Sequence, residues 1–308
     1  MNIHAVLHKI WGRCVNTFGN PTERDFLRSL HDRNALTELE ISLNDELRSL
    51  GSSPSVKVTS IWVDHTPQCW FYPIPQHIPV RKNKTQSSCE LADLLIIVWD
   101  DLSKTSGIAW LLQGKRGKTF NRISNSGSTK IERYLLEGGP RFCLSTRTSL
   151  SQFSKFVPLG EPSGYCLDYL TKSNRYEYCD FLQIKDANAK RWPSNYSPYQ
   201  VVWPLKKTSY SLGFILLNLI QQSKPSAGER FIRDSYTDDW NKLVNFLIDE
   251  TYKSQRTGTA KGSLQNHSYF CTQENVNHTK PIDSESVEEA DFGIPIIEIT
   301  KCLDGIND

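Results

Sequence analysis

The sequence predicts a mixed α/β protein, an α+β arrangement of a mixed sheet packed against helices. Three observations carry this. Leucines over residues 34–50 recur at helical spacing, two apolar runs of strand length lie close together at 91–99 and 108–113, and from residue 34 the elements read helix, strand, strand, strand, helix, strand.

Residues 1–18 read as a short helix with Val6, Leu7, Ile10 and Trp11 on one side, closed by a polar turn at Gly19-Asn20-Pro21. The clearest helix spans 34–50: Asn34 is the expected N-cap, Gly51 the expected terminator, and Leu36, Leu39, Leu43, Leu47 and Leu50 form one apolar stripe. Residues 56–63 are rich in β-branched side chains and read as a strand, followed by a long polar segment with several prolines. The runs 91–99 and 108–113 are joined by a polar stretch of hairpin length. A helix is expected at 128–137, stopped by Gly138-Gly139-Pro140, and a strand at 141–146.

Beyond about residue 150, aromatic and turn residues crowd 160–205. Helices are expected at 210–222 and at 240–252, the second with Leu243, Phe246 and Leu247 on one side. Residues 253–288 are polar enough to predict a long loop or a disordered insertion, and 293–302 a short β-like run. The expected division is therefore a core over 1–150 and a mainly helical accessory region over 151–308 that recognises substrate, partner or regulator.

The 308 residues are 38% hydrophobic, enough for one large core or two modest ones. With 36 basic and 34 acidic residues the net charge is only +2, so any nucleic-acid surface must come from a local cluster. No apolar run reaches the roughly 18 to 20 residues that span a membrane, and the start Met1-Asn2-Ile3-His4 lacks a secretory layout, so a soluble cytoplasmic protein is expected. The eight cysteines contain no CxxC pair, which argues against structural zinc and for reduced, packed thiols.

The chemistry lies in Glu90-Leu91-Ala92-Asp93 and, about twenty positions on, Gln113-Gly114-Lys115. Alternate residues of a strand share a face, so Gln113 and Lys115 project together, and a hairpin between the two runs brings Asp93 to them. Hard oxygen ligands of this kind hold Mg²⁺, with Mn²⁺ as a substitute; the ion polarises a phosphate and lowers the pKa of a bound water. Asp93 is the expected main ligand, helped by the Gln113 amide oxygen or the Gly114 carbonyl, and Lys115 orients the attacking water. On a helical wheel Glu40 and Glu46 flank the leucine stripe while Glu38 points away, so Glu40 is the expected helix acid of the site and Glu46 its reserve.

Residues 114–131 hold Lys115, Arg116, Lys118, Arg122 and Lys130 with no Asp or Glu, a run able to neutralise several phosphates. Ser124, Asn125, Ser126 and Ser128 add neutral contacts, and Arg81, Lys82 and Lys84 form a second basic stretch. His65 is read as incidental. The aromatics of 165–203 suit packing, or stacking on bases.

Helix, strands, Asp93 and the Gln113-Gly114-Lys115 triplet together resemble the PD-(D/E)XK, or restriction-endonuclease-like, nuclease superfamily in its QxK form, over about residues 34–146. The resemblance implies an αβββαβ core and a metal-dependent endonuclease, with catalytic Asp93, Gln113, Lys115 and Glu40. Metal is then expected at Asp93, Gln113 and Gly114, and nucleic acid, double-stranded DNA foremost, along the basic residues Arg116, Lys118, Arg122 and Lys130. A protein partner or a second copy of the chain stays open. By analogy, bacterial chains with this core look like restriction or phage-defence effectors. The family's second acid is Gln113 here, which removes a negative ligand. An inactive module that binds nucleic acid or protein is the alternative, and RNA stands beside DNA as substrate.

Overall fold

Local capping signals set the first three helices. Asn2 accepts the amide of Ala5 at 2.9 Å and starts α1 (Ile3–Phe18). Thr22 and Asp25 exchange backbone and side-chain bonds in a capping box that starts α2 (Glu23–Leu30), a helix not expected from the sequence. Asp32, not Asn34, caps α3 (Arg33–Ser49), and Gly51 with φ +70° ends that helical run as expected. In this computed structural model the described residues are 2–52, 55–63, 66–71, 87–123, 127–135, 141–145, 165–166, 179–203, 208–223, 227–257 and 293–302. The polar segment expected to be a loop or insertion lies, from residue 258, outside them.

The strands are β1 (Ser55–Ile61), β2 (Gln68–Phe71), β3 (Ser87–Glu90), β4 (Leu94–Trp99), β5 (Ser106–Gly117), β6 (Arg141–Ser145), β7 (Tyr165–Cys166), β8 (Cys179–Lys185), β9 (Tyr199–Trp203), β10 (Thr208–Ser211), β11 (Glu229–Ile232) and β12 (Ile296–Cys302). Between them stand α4 (Gly127–Arg133), α5 (Leu212–Gln221) and α6 (Asp239–Thr257). The main sheet runs β1-β12-β4-β5-β8-β9-β10, with β11 also on β5; a second sheet runs β3-β2-β6-β7. Orientation is mixed: β12 lies parallel to β4 and β8 parallel to β5, while β4 and β5 form the expected antiparallel pair.

Both faces of the main sheet are covered. Leu94, Ile96 and Val98 face one core with α1, α2, α3 and α5; Leu95, Ile97 and Trp99 face the other with α6. A strand buried on both faces reads as a continuous apolar run, which is why 91–99 shows no alternation.

This topology goes beyond the order of elements read from the sequence, and it corrects the expected division at residue 150. Strand β1 does not neighbour β4, because β12 from the far end of the chain lies between them. The strand at 141–146 joins the small sheet, and the neighbour of β5 beyond the helix is β8. Finally, residue 150 divides nothing in the main sheet: β8 to β12 all belong to it, so the described residues after 150 supply it with five strands, and the small sheet with β7, beside their two helices. Among the described residues no helix is long and apolar enough to cross a membrane. Cys14, Cys69 and Cys89 are buried.

Candidate functional site

The site forms where β5 outruns its neighbour. Strand β4 pairs with Gly107–Leu112, whereas β8, on the opposite side, pairs with Leu111–Gly117. The end of β5 thus has a bare edge on the β4 side. A residue's N–H and C=O point to the same edge, so Gly114 and Arg116 present theirs there. Two carboxylates take the N–H groups: Asp93 Oδ2 accepts from Gly114 at 2.8 Å, and Glu23 Oε2 from Arg116 at 2.7 Å. Space above Gly114 is limited: a Cβ there would stand 3.1 Å from Leu27 Cδ1, which would have to shift by a few tenths of an ångström, and in ordinary contact, at 3.4 Å, with Asp93 Oδ2 and Glu23 Cγ.

Asp93 is fixed by its own amide, which donates to the Leu112 carbonyl at 2.9 Å just before β4 begins. Gln113 also donates to Asp93 Oδ2 through its side-chain Nε2. Lys115, on the same face as Gln113, reaches Glu132 Oε2 of α4 at 2.9 Å and Glu23 Oε1 at 3.6 Å. Asp93, Gln113, Gly114 and Lys115 are therefore brought together as the sequence leads one to expect. Glu23, Glu90 and Asp93 line a cleft of about 250 Å³, with Arg24, Leu27 and Trp62 among its other walls.

The electrostatics are those of carboxylates crowded around Lys115. Burial, then the charges of Glu23 and Glu90, raises the Asp93 pKa well above the usual carboxylate range, against the pull of Lys115. Burial likewise raises Glu23, although Lys115 and the Arg116 amide oppose it. For Lys115, burial works to lower the pKa, but Glu23, Glu132 and Asp93 outweigh it and hold the ammonium charged.

This donor set fits a hard divalent cation. Gln113 is 1% exposed and its Oε1 is buried without a hydrogen-bond partner among the described residues. The Gly114 carbonyl shares the bare edge with Asp93, and the neighbouring carboxylates leave an excess of negative charge. Among the described residues no three His, Cys, Asp or Glu side chains group as metal ligands. The fitting set is one carboxylate, an amide oxygen and a backbone carbonyl, completed by the waters that Mg²⁺ retains.

Glu40 is not part of this cluster. Its Oε2 accepts the amide of Val58 at 2.8 Å, and Asn44 brackets Val56 through both its side-chain atoms, so α3 closes the open edge of β1. Val58 pairs with Ile299 and thence with Val98, at the end of β4 remote from Asp93. Among the described residues no α3 carboxylate touches Asp93, Gln113 or Lys115; Glu38 holds Lys9 and Arg13 instead. Glu40→Ala is expected to cost about 1 kcal/mol in denaturant unfolding, the worth of one hydrogen bond, and to leave any cleavage rate unchanged.

The helix acid at the site is Glu23. It stands in the first turn of α2, where the helix dipole favours negative charge. The signal that finds it is Thr22-x-x-Asp25, a capping-box spacing directly after Pro21. Glu132 was also missed; it stands three residues after Thr129 on α4, and both are buried.

The basic run separates into two kinds of residue. Arg116 is exposed but tied down, bonding Asp186 at 3.1 Å and the Pro21 carbonyl at 2.6 Å, so it is a structural tie and not a free phosphate contact. Lys118 and Arg122 are exposed, and Lys130 is half-buried on α4. His65, Arg81, Lys82, Lys84, Ser124, Asn125 and Ser126 lie outside the described residues. No known protein family, curated protein or solved structure matches this chain.

Proposed function

We propose that this chain is a metal-dependent endonuclease that hydrolyses phosphodiester bonds, with DNA the favoured substrate. The observation that carries the reading is the convergence on one strand edge of Asp93, the Gln113 amide, the Gly114 backbone and the Lys115–Glu132 pair. The resemblance to the PD-(D/E)XK superfamily supports it, with Glu23 in place of Glu40 as the helix acid.

Asp93, the Gln113 amide oxygen and the Gly114 carbonyl would hold Mg²⁺ or Mn²⁺. When bound, that ion polarises the phosphate and lowers the pKa of a coordinated water. The chain's own part is to position and to neutralise. Glu23 and Glu132 keep Lys115 charged and aimed into the cluster, where its ammonium can orient the attacking water and offset negative charge developing on the phosphate. The Gly114 N–H holds the Asp93 carboxylate against the strand edge.

The test is incubation of the purified protein with plasmid, single-stranded DNA and structured RNA in Mg²⁺, Mn²⁺ or EDTA. Cleavage with either metal and none in EDTA is expected. No cleavage of any substrate would leave the second reading, an inactive nuclease-like module that binds nucleic acid or a protein partner. That reading has its own support: two carboxylates already engage Lys115.

Gln113→Glu separates the ligand role from a packing role. It puts a further carboxylate beside Asp93 and removes the amide that donates to it, so stability in EDTA is expected to fall by about 1 to 3 kcal/mol. Mg²⁺ should restore that loss, with cleavage at or above the wild-type rate, read by thermal melts and the plasmid assay. A folded variant that neither gains stability from Mg²⁺ nor cleaves would remove Gln113 from the ligand set.

A further inference from the structure

Just beyond Lys115 the chain leaves β5 and builds a surface that the cleavage chemistry does not use. Its shape is set by Gln183, a fully buried residue of β8. Gln183 Oε1 accepts the Asn121 amide at 2.8 Å, and its Nε2 donates to the carbonyls of Thr119 at 2.9 Å and Arg122 at 2.7 Å. One side chain thus holds three backbone groups of the 118–122 loop, including Asn121 at φ +54°.

A second loop locks onto the first. Thr119 forms a parallel bridge with Arg191, and the Phe120 amide donates to the Arg191 carbonyl at 2.9 Å. The two loops join their aromatics: Phe120 lies edge-on to the buried Trp192 at 5.4 Å, and its ring centre is 4.3 Å from that of Tyr196. Tyr196 is 42% exposed.

The charge on these two loops has one sign. Lys118, Arg122, Lys190 and Arg191 are exposed, and none is ion-paired with a described residue. Residues 117–131 and 187–200 contain no Asp or Glu. In a chain of net charge +2 this is a local concentration, not a general property. Phosphates alone would call for the cations. An exposed, rigidly backed ring among them adds what a paired duplex cannot use, since stacking needs the face of an unpaired base.

We propose that this surface binds single-stranded nucleic acid, with an unpaired base on Tyr196 and the backbone tracked by Lys118, Arg122 and Arg191. That the same strand continues to Asp93 and Lys115 rests on the endonuclease reading; the binding itself does not. Five residues of chain separate Lys115 from Phe120, at most about 17 Å, so the bound segment would lie within a few nucleotides of the cleavage centre.

The experiment is fluorescence anisotropy in EDTA, where cleavage plays no part, with labelled single-stranded DNA, single-stranded RNA and blunt duplex of about 20 nucleotides, longer than one binding site. Wild type is expected to prefer single strands to duplex, and the DNA and RNA arms identify which strand is held. Tyr196→Ala should weaken single-strand binding about tenfold with little change on duplex, while Tyr196→Phe keeps the wild-type affinity. The triple variant Lys118→Ala/Arg122→Ala/Arg191→Ala should lower the slope of log K against log salt by about two, the counterion release of three phosphate contacts.

Wild-type affinity in a folded Tyr196→Ala, a preference for duplex, or no nucleic-acid binding by folded wild type would each overturn the proposal. Binding without cleavage in any metal would sink the endonuclease reading and leave this surface standing; cleavage with unchanged Tyr196→Ala binding would do the reverse.

Discussion

Lys115→Ala is expected to abolish cleavage and, unlike most changes at a solvent-facing site, to cost substantial stability. The Lys115 side chain is only 17% exposed and that of Glu132 9%, and the two meet at 2.9 Å. Removing the ammonium takes away the cation that Glu132 and Glu23 share and that Asp93 lies beside. Breaking a buried pair on one side costs about 3 to 5 kcal/mol; because the Glu23 side chain is 31% exposed and can move toward water, about 2 to 4 kcal/mol is the expected loss here. The sequence alone suggests a small cost, since a lysine at a strand end reads as solvated.

The double variant Lys115→Ala/Glu132→Gln decides the cause. If the loss comes from stranded charge, the second substitution should recover most of the stability while cleavage stays absent. Denaturant unfolding of the wild type, both single variants and the double variant reads the coupling directly. Independent, additive losses would show that Lys115 and Glu132 do not act as a pair.

Asp93→Asn should separate stability from activity in the opposite sense. Under the endonuclease reading it removes the one carboxylate of the metal set. Losing about 4 kcal/mol of charge stabilisation corresponds to about a thousandfold slower cleavage. Yet the metal-free protein should become more stable, by about 1 kcal/mol, because the cost of burying that carboxylate beside Glu23 and Glu90 disappears. Asparagine can still accept from the Gly114 amide, and its own amide can donate to Gln113 Oε1, which has no partner among the described residues.

The pH dependence follows from the same cause. Burial and the neighbouring carboxylates raise the folded-state pKa of Asp93. A group raised on folding binds its proton more tightly in the native state. Its contribution is complete below the ordinary carboxylate pKa of about 4 and is lost as pH rises through the raised value. Wild type in EDTA should therefore lose stability upward from about pH 4, and Asp93→Asn should show a flatter profile.

Saturating Mg²⁺ should reverse the wild-type loss. Binding at a hundred times the dissociation constant contributes about 2.7 kcal/mol, and the melting temperature of Asp93→Asn should not respond. Equal Mg²⁺ responses in the two proteins would place the cation elsewhere.

How much of this was legible in the sequence differs by element. The hairpin of β4 and β5 was, because two apolar runs joined by a short polar link have few other ways to pair. With it came the meeting of Asp93, Gln113 and Lys115, since strand alternation puts the last two on one face. The α3 helix was legible from its leucine stripe, but the role of its acid was not. A wheel shows which side chains border a buried face; it does not show what lies opposite. Glu40 borders that face and meets β1's open edge, while Glu23, in a short helix betrayed only by its cap, meets the bare edge of β5.

Local patterns thus determined the helices with clear periodicity, the mixed α/β class and the central triplet, because capping, turn length and side-chain alternation act over a few residues. Tertiary structure alone decided three further things. It set β12 between β1 and β4, tied the residues after 150 into the main sheet, and left β5 longer than β4 so that two N–H groups needed carboxylate partners. Pairing between strands so far apart in the chain depends on which apolar faces fit and which edges remain open once everything else has packed. No window of the sequence contains that information, and the charge of the site, with Glu23 and Glu132 closing around Lys115, follows from it.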